Sequence, residues 1–198
     1  MNTNQKVDVS VYQKAKKGNL CCGDSYFYAE TDTEFICAIA DGLGNGEFAK
    51  ESSQIVVEII EEYVEASVEQ LVNICNKKLQ GKRGAVLGIL KINFKSQMYT
   101  FSSIGNIGVI TIMNNKKKKR NIPNAGYLAG IKRTFKVEKG EIQPGMRFIM
   151  FSDGVSDKEL SKDYFTNDDV HKVTDIFAQE GFDAIDDDTT LIVMRYDA

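Results

Sequence analysis

Four short acidic signals lie far apart in this chain: Gly23-Asp24, Asp41-Gly42-Leu43-Gly44-Asn45-Gly46, Ser152-Asp153-Gly154 and Asp186-Asp187-Asp188-Thr189-Thr190. The second is entered from the apolar run 35–40, and a helical pattern follows it at once. A carboxylate at the end of a buried strand can hold a hard cation, and the glycines let backbone carbonyls and amides approach a ligand closely. Asp-Gly alone also marks ordinary turns, so the weight lies in the recurrence. Sets of oxygen ligands select magnesium, manganese or calcium over zinc. Four clustered carboxylates would repel and raise one another's pKa unless a cation neutralised them. Two such ions close together can bridge a water, lower its pKa and clamp an oxyanion, the arrangement used for phosphoester hydrolysis.

The surrounding elements must bring these acids together. Residues 26–29 and 35–40 read as a hairpin around Glu30-Thr31-Asp32-Thr33, which sets the start of the first strand opposite the end of the second. Asp24 and Asp41 are therefore expected at one sheet edge. Residues 147–152 end at Asp153, and Asp187 precedes the strand 190–196. If those strands are antiparallel neighbours, Asp153 and Asp187 also share an edge. Whether the two edges coincide is left open by the sequence.

Other strands are expected at 7–12, 85–94, 98–104, 107–113 and 135–142. Phe48, Ser52, Ile55, Ile59 and Tyr63 recur at helical spacing, predicting a buried Ile55-Ile59-Tyr63 stripe with Lys50, Gln54, Glu58, Glu61 and Glu62 on the wet side. Ser67-Val68-Glu69-Gln70 has the form of a capping box opening a second helix that buries Val68, Leu71, Val72, Cys75 and Leu79. A further helix is expected at 170–180. The pattern predicts an α+β fold, with antiparallel sheets packed face to face and helices outside. With 198 residues and no low-complexity linker, a single domain spanning 1–198 is expected.

The net charge of −3 gives no reason to invoke nucleic acid or an anionic membrane, and the longest apolar runs are too short to span a bilayer. Lys116-Lys117-Lys118-Lys119-Arg120 is read as an exposed hairpin tip. The N-terminus lacks the apolar stretch of a signal peptide, and Cys21, Cys22, Cys37 and Cys75 have no paired spacing, so free thiols in a cytoplasmic protein are expected. Ser152 is read as a strand-end packing or hydrogen-bonding residue, since a serine nucleophile would want a base and His171 falls on an amphipathic helix. Asp186 and Asp188 are read as flanking, solvated or supporting groups rather than direct ligands. The glycines of 42–46 do not satisfy the dinucleotide fingerprint.

At these residues the chain resembles the metal-dependent protein phosphatases of the PPM, or protein phosphatase 2C-like, family. The likeness runs from Gly23-Asp24 to Asp187-Asp188-Thr189-Thr190-Leu191. Within that family it is similar to the short bacterial serine phosphatases of the sporulation and general-stress pathways, on Ala40 to Gly46, Glu51-Ser52-Ser53 and Lys82-Arg83-Gly84-Ala85. The resemblance implies a four-layer α/β/β/α sandwich with two central antiparallel sheets. It implies that Asp41 bridges two manganese or magnesium ions, that the Gly42 carbonyl helps bind one, and that Asp153 and Asp187 hold the other. Asp24 would act directly or through bound water.

The implied reaction is hydrolysis of phosphoserine or phosphothreonine without a phosphoenzyme, by a negative feedback regulator of a stressosome, sigma-B-type partner-switching pathway. The implied partners are phosphorylated stressosome scaffold proteins or anti-sigma-factor antagonists. The alternative is a catalytically silent member that binds the same regulators. Three positions depart from the family pattern. Gly23 replaces a glutamate common in eukaryotic relatives, no arginine precedes Asp24 (Lys14, Lys16 and Lys17 are the candidate substitutes), and Gly105-Asn106 stands where many members have Gly-Asp.

Overall fold

The computed structural model describes residues 5–180 and 187–198; Asp186 and the first four residues of the expected signal-free N-terminus lie outside the described residues. The elements are β1 (Val7–Lys14), β2 (Asp24–Glu30), β3 (Glu34–Gly42), α1 (Glu47–Glu62), α2 (Val68–Lys78), β4 (Ala85–Asn93), β5 (Met98–Ile104), β6 (Gly108–Ile112), β7 (Lys118–Arg120), β8 (Glu138–Glu141), β9 (Arg147–Phe151), α3 (Asp157–Leu160), α4 (Val170–Gln179) and β10 (Thr189–Tyr196). They build two five-stranded sheets, ordered β1-β10-β9-β6-β7 and β2-β3-β4-β5-β8. The paired neighbours are antiparallel throughout.

The apolar run in β3 is continuous because both of its faces are buried. Phe35, Cys37 and Ile39 point between the sheets, where they meet Val109, Phe148, Met150 and Ile192. Ile36, Ala38 and Ala40 point the other way, beneath Val56 and Ile60 of α1 and Leu71 and Cys75 of α2. Side chains on a strand alternate between faces, so one strand serves two apolar layers. Phe165, Val173 and Phe177, the latter two from α4, cover the outer face of the other sheet at Ile149, Leu191 and Val193. The result is the expected four-layer α/β/β/α sandwich.

The capping box of α2 is present, with Gln70 N–H donating to Ser67 Oγ at 3.2 Å and Ser67 N–H to Gln70 Oε1 at 2.9 Å. The face of α1 differs from expectation. Its buried residues are Ala49, Ser52, Ser53, Val56, Val57, Ile59 and Ile60, whereas Phe48 is 62% and Tyr63 40% exposed and Ile55 is half-buried. The larger apolar side chains suggested one stripe, but the helix seats itself through a neighbouring face that includes small residues. Lys50, expected on the wet side, is half-buried for a reason that belongs to the site. The expected strand 135–142 is shortened to β8, because Lys136 N–H donates to Asn124 Oδ1 at 2.7 Å instead of joining the ladder. The basic tract turns at Lys116 and forms β7; Arg120 pairs with Asp157 and Lys118 reaches the Leu160 carbonyl.

The seating of α1 gives a direct comparison. Ile60→Ala should lower the unfolding free energy by about 2–5 kcal/mol, the usual range for emptying a buried aliphatic site. Tyr63→Ala should cost less than about 1 kcal/mol. Urea unfolding of both variants checks this, and a larger loss at Tyr63 would contradict the observed face.

Candidate active site

The β2–β3 register places Asp24 directly opposite Asp41, and β3 continues one residue to pair Gly42 with Ala85 of β4. In the other sheet, Phe151 pairs with Leu191, and beyond that pair Ser152 N–H donates to the Thr190 carbonyl at 3.0 Å. Asp153 thus leaves β9 at the end from which β10 receives Asp187 and Asp188. The two edges coincide: Thr190 Oγ1, in one sheet, donates to Asp24 Oδ2, in the other, at 2.7 Å. Thr190 also accepts from Gln13 Nε2 at 3.0 Å, and its backbone N–H donates to Ser152 Oγ at 2.9 Å.

Local contacts fix the remaining parts. Asp188 spends both carboxylate oxygens on backbone donors, accepting Lys16 N–H through Oδ1 and Gly23 N–H through Oδ2, each at 2.8 Å. It therefore clamps the segment leading into Asp24. A Cβ at position 23 would come within 2.8 Å of Asp188 Oδ2, so a larger residue there would have to displace the carboxylate that clamps this segment. Asn106 Nδ2 donates to Asp153 Oδ2 at 2.6 Å and so orients that acid. One oxygen of Asp187 accepts the Asp188 N–H at 2.9 Å.

Helix α1 locks the edge from outside. Ser53 Oγ donates to the Gly23 carbonyl at 2.6 Å, and Lys50 Nζ donates to the Asp24 carbonyl at 2.9 Å and to Ser25 Oγ at 3.0 Å. Gly42 is buried, and a Cβ there would overlap the Ala49 carbonyl, so only glycine lets the first turn of α1 lie against the strand end. Sequence reasoning did not assign the roles of Thr190, Ser53 or Lys50. One signal was available: serines are poor in a helix interior, so Ser52-Ser53 inside an amphipathic pattern suggests side chains with hydrogen-bonding tasks.

Electrostatics registers the crowding. Burial raises the Asp24 carboxyl to about 6, opposed by hydrogen bonds from Thr190 and Ser152 and assisted by Asp188 and Asp153. Burial, then Asp24, Asp153, Asp187 and Asp188, pushes Asp41 up to about 8. Asp153 is also raised, by burial and Asp187 against the Asn106 hydrogen bond. Burial leads each shift and the neighbouring acids add to it, so the cluster resists carrying all of its negative charges at once. Among the described residues, no three acids, histidines or cysteines are gathered tightly enough to ligate one ion as they stand, so the acids form an open cluster. The oxygen-only donor set and its charge deficit fit divalent magnesium or manganese.

A family model described as Stage II sporulation protein E (SpoIIE) matches residues 31–197. The chain is 38% identical over 153 residues to the phosphoserine phosphatase RsbX of Bacillus subtilis (strain 168), covering 77% of each chain. A crystal structure of RsbX in complex with magnesium superposes with a TM-score of 0.88 at 34% identity, over 98% of this chain and 96% of that one. The PP2C phosphatase domain of SpoIIE from Bacillus subtilis, solved with a fragment of its regulatory domain, superposes at 0.81 over 97% of this chain and 64% of that one; at 21% identity it speaks for the fold alone. A structure from the bacterial stressosome superposes at 0.83, covering 96% of this chain and all of the other, and at 23% identity it too speaks for the fold alone. The chain belongs to the SpoIIE family and is a PP2C-type protein serine/threonine phosphatase.

Proposed function

We propose that this phosphatase is metal-dependent, with two manganese or magnesium ions held by Asp24, Asp41, the Gly42 carbonyl, Asp153 and Asp187. The observation that carries the reading is the meeting of acids from both sheets at one end of the sandwich, where Asp24 faces Asp41 and is held by Thr190 of the other sheet. When bound, such ions supply positive charge, activate water and stabilise a developing oxyanion.

The chain's own residues position that chemistry. Thr190 and Ser152 orient Asp24, Asn106 orients Asp153, and Asp188 holds the approach to Asp24. No side-chain nucleophile is required. Burial raises the Cys22 thiol to about 12, which disfavours the reactive thiolate. Ser152 is fully buried, its oxygen accepting the Thr190 N–H while its hydroxyl serves Asp24.

The substrates in this reading are phosphoserine or phosphothreonine proteins of a stressosome, sigma-B-type pathway: scaffold proteins or anti-sigma-factor antagonists whose dephosphorylation gives negative feedback. Likeness to RsbX over most of the chain supports it. A cytoplasmic location goes with this role; among the described residues no helix is long and apolar enough to cross a membrane.

Chelation should abolish release of phosphate from an aryl phosphate and from a phosphoserine protein, and manganese should restore both. Asp41→Asn should lower turnover at least ~100-fold, comparable with losing a major electrostatic element of a transition state. Ser152→Ala should retain far more activity. A dead Ser152→Ala beside an active Asp41→Asn would reverse the assigned roles.

The raised carboxyls give a second test. Between the ordinary aspartate value of ~4 and about 6 for Asp24 or about 8 for Asp41, the folded state holds protons that the unfolded chain has released. Stability of the metal-free protein must then fall as pH rises through that window. Divalent ions relieve the same repulsion, so manganese should raise the melting temperature more at pH 8 than at pH 5. An equal or smaller shift at pH 8 would contradict the coupling.

A further inference from the structure

The chain has five arginines: Arg83, Arg120, Arg133, Arg147 and Arg195. Arg120, Arg147 and Arg195 pair with Asp157, Asp168 and Asp197. Among the described residues, Arg83 and Arg133 form no ion pair, and both are exposed. Neighbouring Lys82 is matched, at 2.7 Å from Glu51. An unpaired guanidinium retains its whole planar fork of donors for an anionic partner.

Both unpaired arginines stand at the rim of the acid cluster. Gly42 pairs with Ala85 and Leu43 N–H donates to the Gly84 carbonyl at 3.0 Å, which carries Arg83 alongside Gly44. Gly44 has φ +113°, and a Cβ added there would meet Arg83 Nη1 at 2.7 Å, so a bare backbone leaves the guanidinium its place. The same guanidinium lies over the exposed Phe48 ring, 5.1 Å from its centroid. This contact holds the group against a surface without consuming its charge.

Arg133 lies against Gly126, whose carbonyl is beside Gly105, and Asn106 next in the chain donates to Asp153. Tyr127, 41% exposed, packs beside Gly84 and joins the two arginine positions. Paired hydrogen bonds between Ala85 and Leu128, together with the Asn76 side chain bound to Ala129, Gly130 and Ile131, fix this segment to the scaffold.

We propose that Arg83 and Arg133 form a cationic rim that selects phosphoprotein substrates with acidic side chains flanking the phosphorylated residue. The proposal rests on the phosphatase reading of the adjacent cluster and adds its substrate class. A phosphosegment lying over the acids would pass between Arg83 on the Asp41 side and Arg133 on the Asp153 side. Acidic flanking groups would meet an unpaired guanidinium at each side, and lysines there would be repelled.

Matched phosphoserine peptides with Asp and Glu, or with Lys, beside the phosphoserine provide the test, with an aryl phosphate as a substrate lacking a flanking segment. The manganese-loaded enzyme should favour the acidic peptide by about tenfold in kcat/KM, mainly through KM. The Arg83→Ala/Arg133→Ala double variant should lose this preference while hydrolysing the aryl phosphate at the parent rate. Arg83→Lys should keep much of it, and Arg83→Glu/Arg133→Glu should favour the lysine peptide.

No charge preference in the parent, or one that survives in the double alanine variant, would overturn the proposal. Equal loss on the aryl phosphate would also overturn it, by placing the arginines at the phosphoryl group. Peptide binding followed by fluorescence anisotropy reads the rim even without phosphate release, so failure of the rim and failure of the phosphatase reading remain distinguishable.

Discussion

Mutual repulsion among carboxylates held at one end of the sandwich is the constraint on which the rest of this site depends. Asp24 and Asp41 face each other across one strand pair, and Asp153, Asp187 and Asp188 arrive from the other sheet. Folding alone offers this cluster little positive charge. The Lys50 ammonium meets the Asp24 carbonyl and the Ser25 hydroxyl instead of an acid side chain, and Asp188 is satisfied by backbone amides. The remaining acids stay short of cations, and this makes hard divalent ions their natural complement.

The scaffold maintains that arrangement through contacts of two kinds. Between the sheets, the Thr190 to Asp24 hydrogen bond crosses from one layer to the other and is buried, where polar contacts are costly to lose. Outside them, α1 presses its first turn onto Gly42 and ties Ser53 to the Gly23 carbonyl. A change in the seating of α1 would therefore move both ends of the Asp24–Asp41 pair. The helix is part of the site's geometry as well as a cover for the core.

Much of this was legible in the sequence because strand ends are legible. Turn chemistry at 30–33 set Asp24 opposite Asp41, and apolar runs bounded by acidic turns put Asp153 and Asp187 at one edge on the condition that their strands pair, as β9 and β10 do. The coincidence of the two edges was not, since it depends on how one sheet packs on another and local pattern carries no such information. The face of α1 was misplaced for a related reason. Phe48 and Tyr63 outweigh Ala49 and Ser53 on any hydrophobic reading, yet tertiary contact selected the smaller residues. Lys50 was placed in water because a lysine in a helix usually reaches solvent; its apolar stem instead crosses to a backbone carbonyl.

The proposed function requires acids from both sheets to hold divalent cations together. Anomalous scattering from crystals grown with manganese tests it most directly. Manganese peaks are expected among Asp24, Asp41, Asp153 and Asp187, with the peaks at Asp41 lost in Asp41→Asn. Manganese confined to other acidic patches, or peaks unchanged in Asp41→Asn, would contradict it.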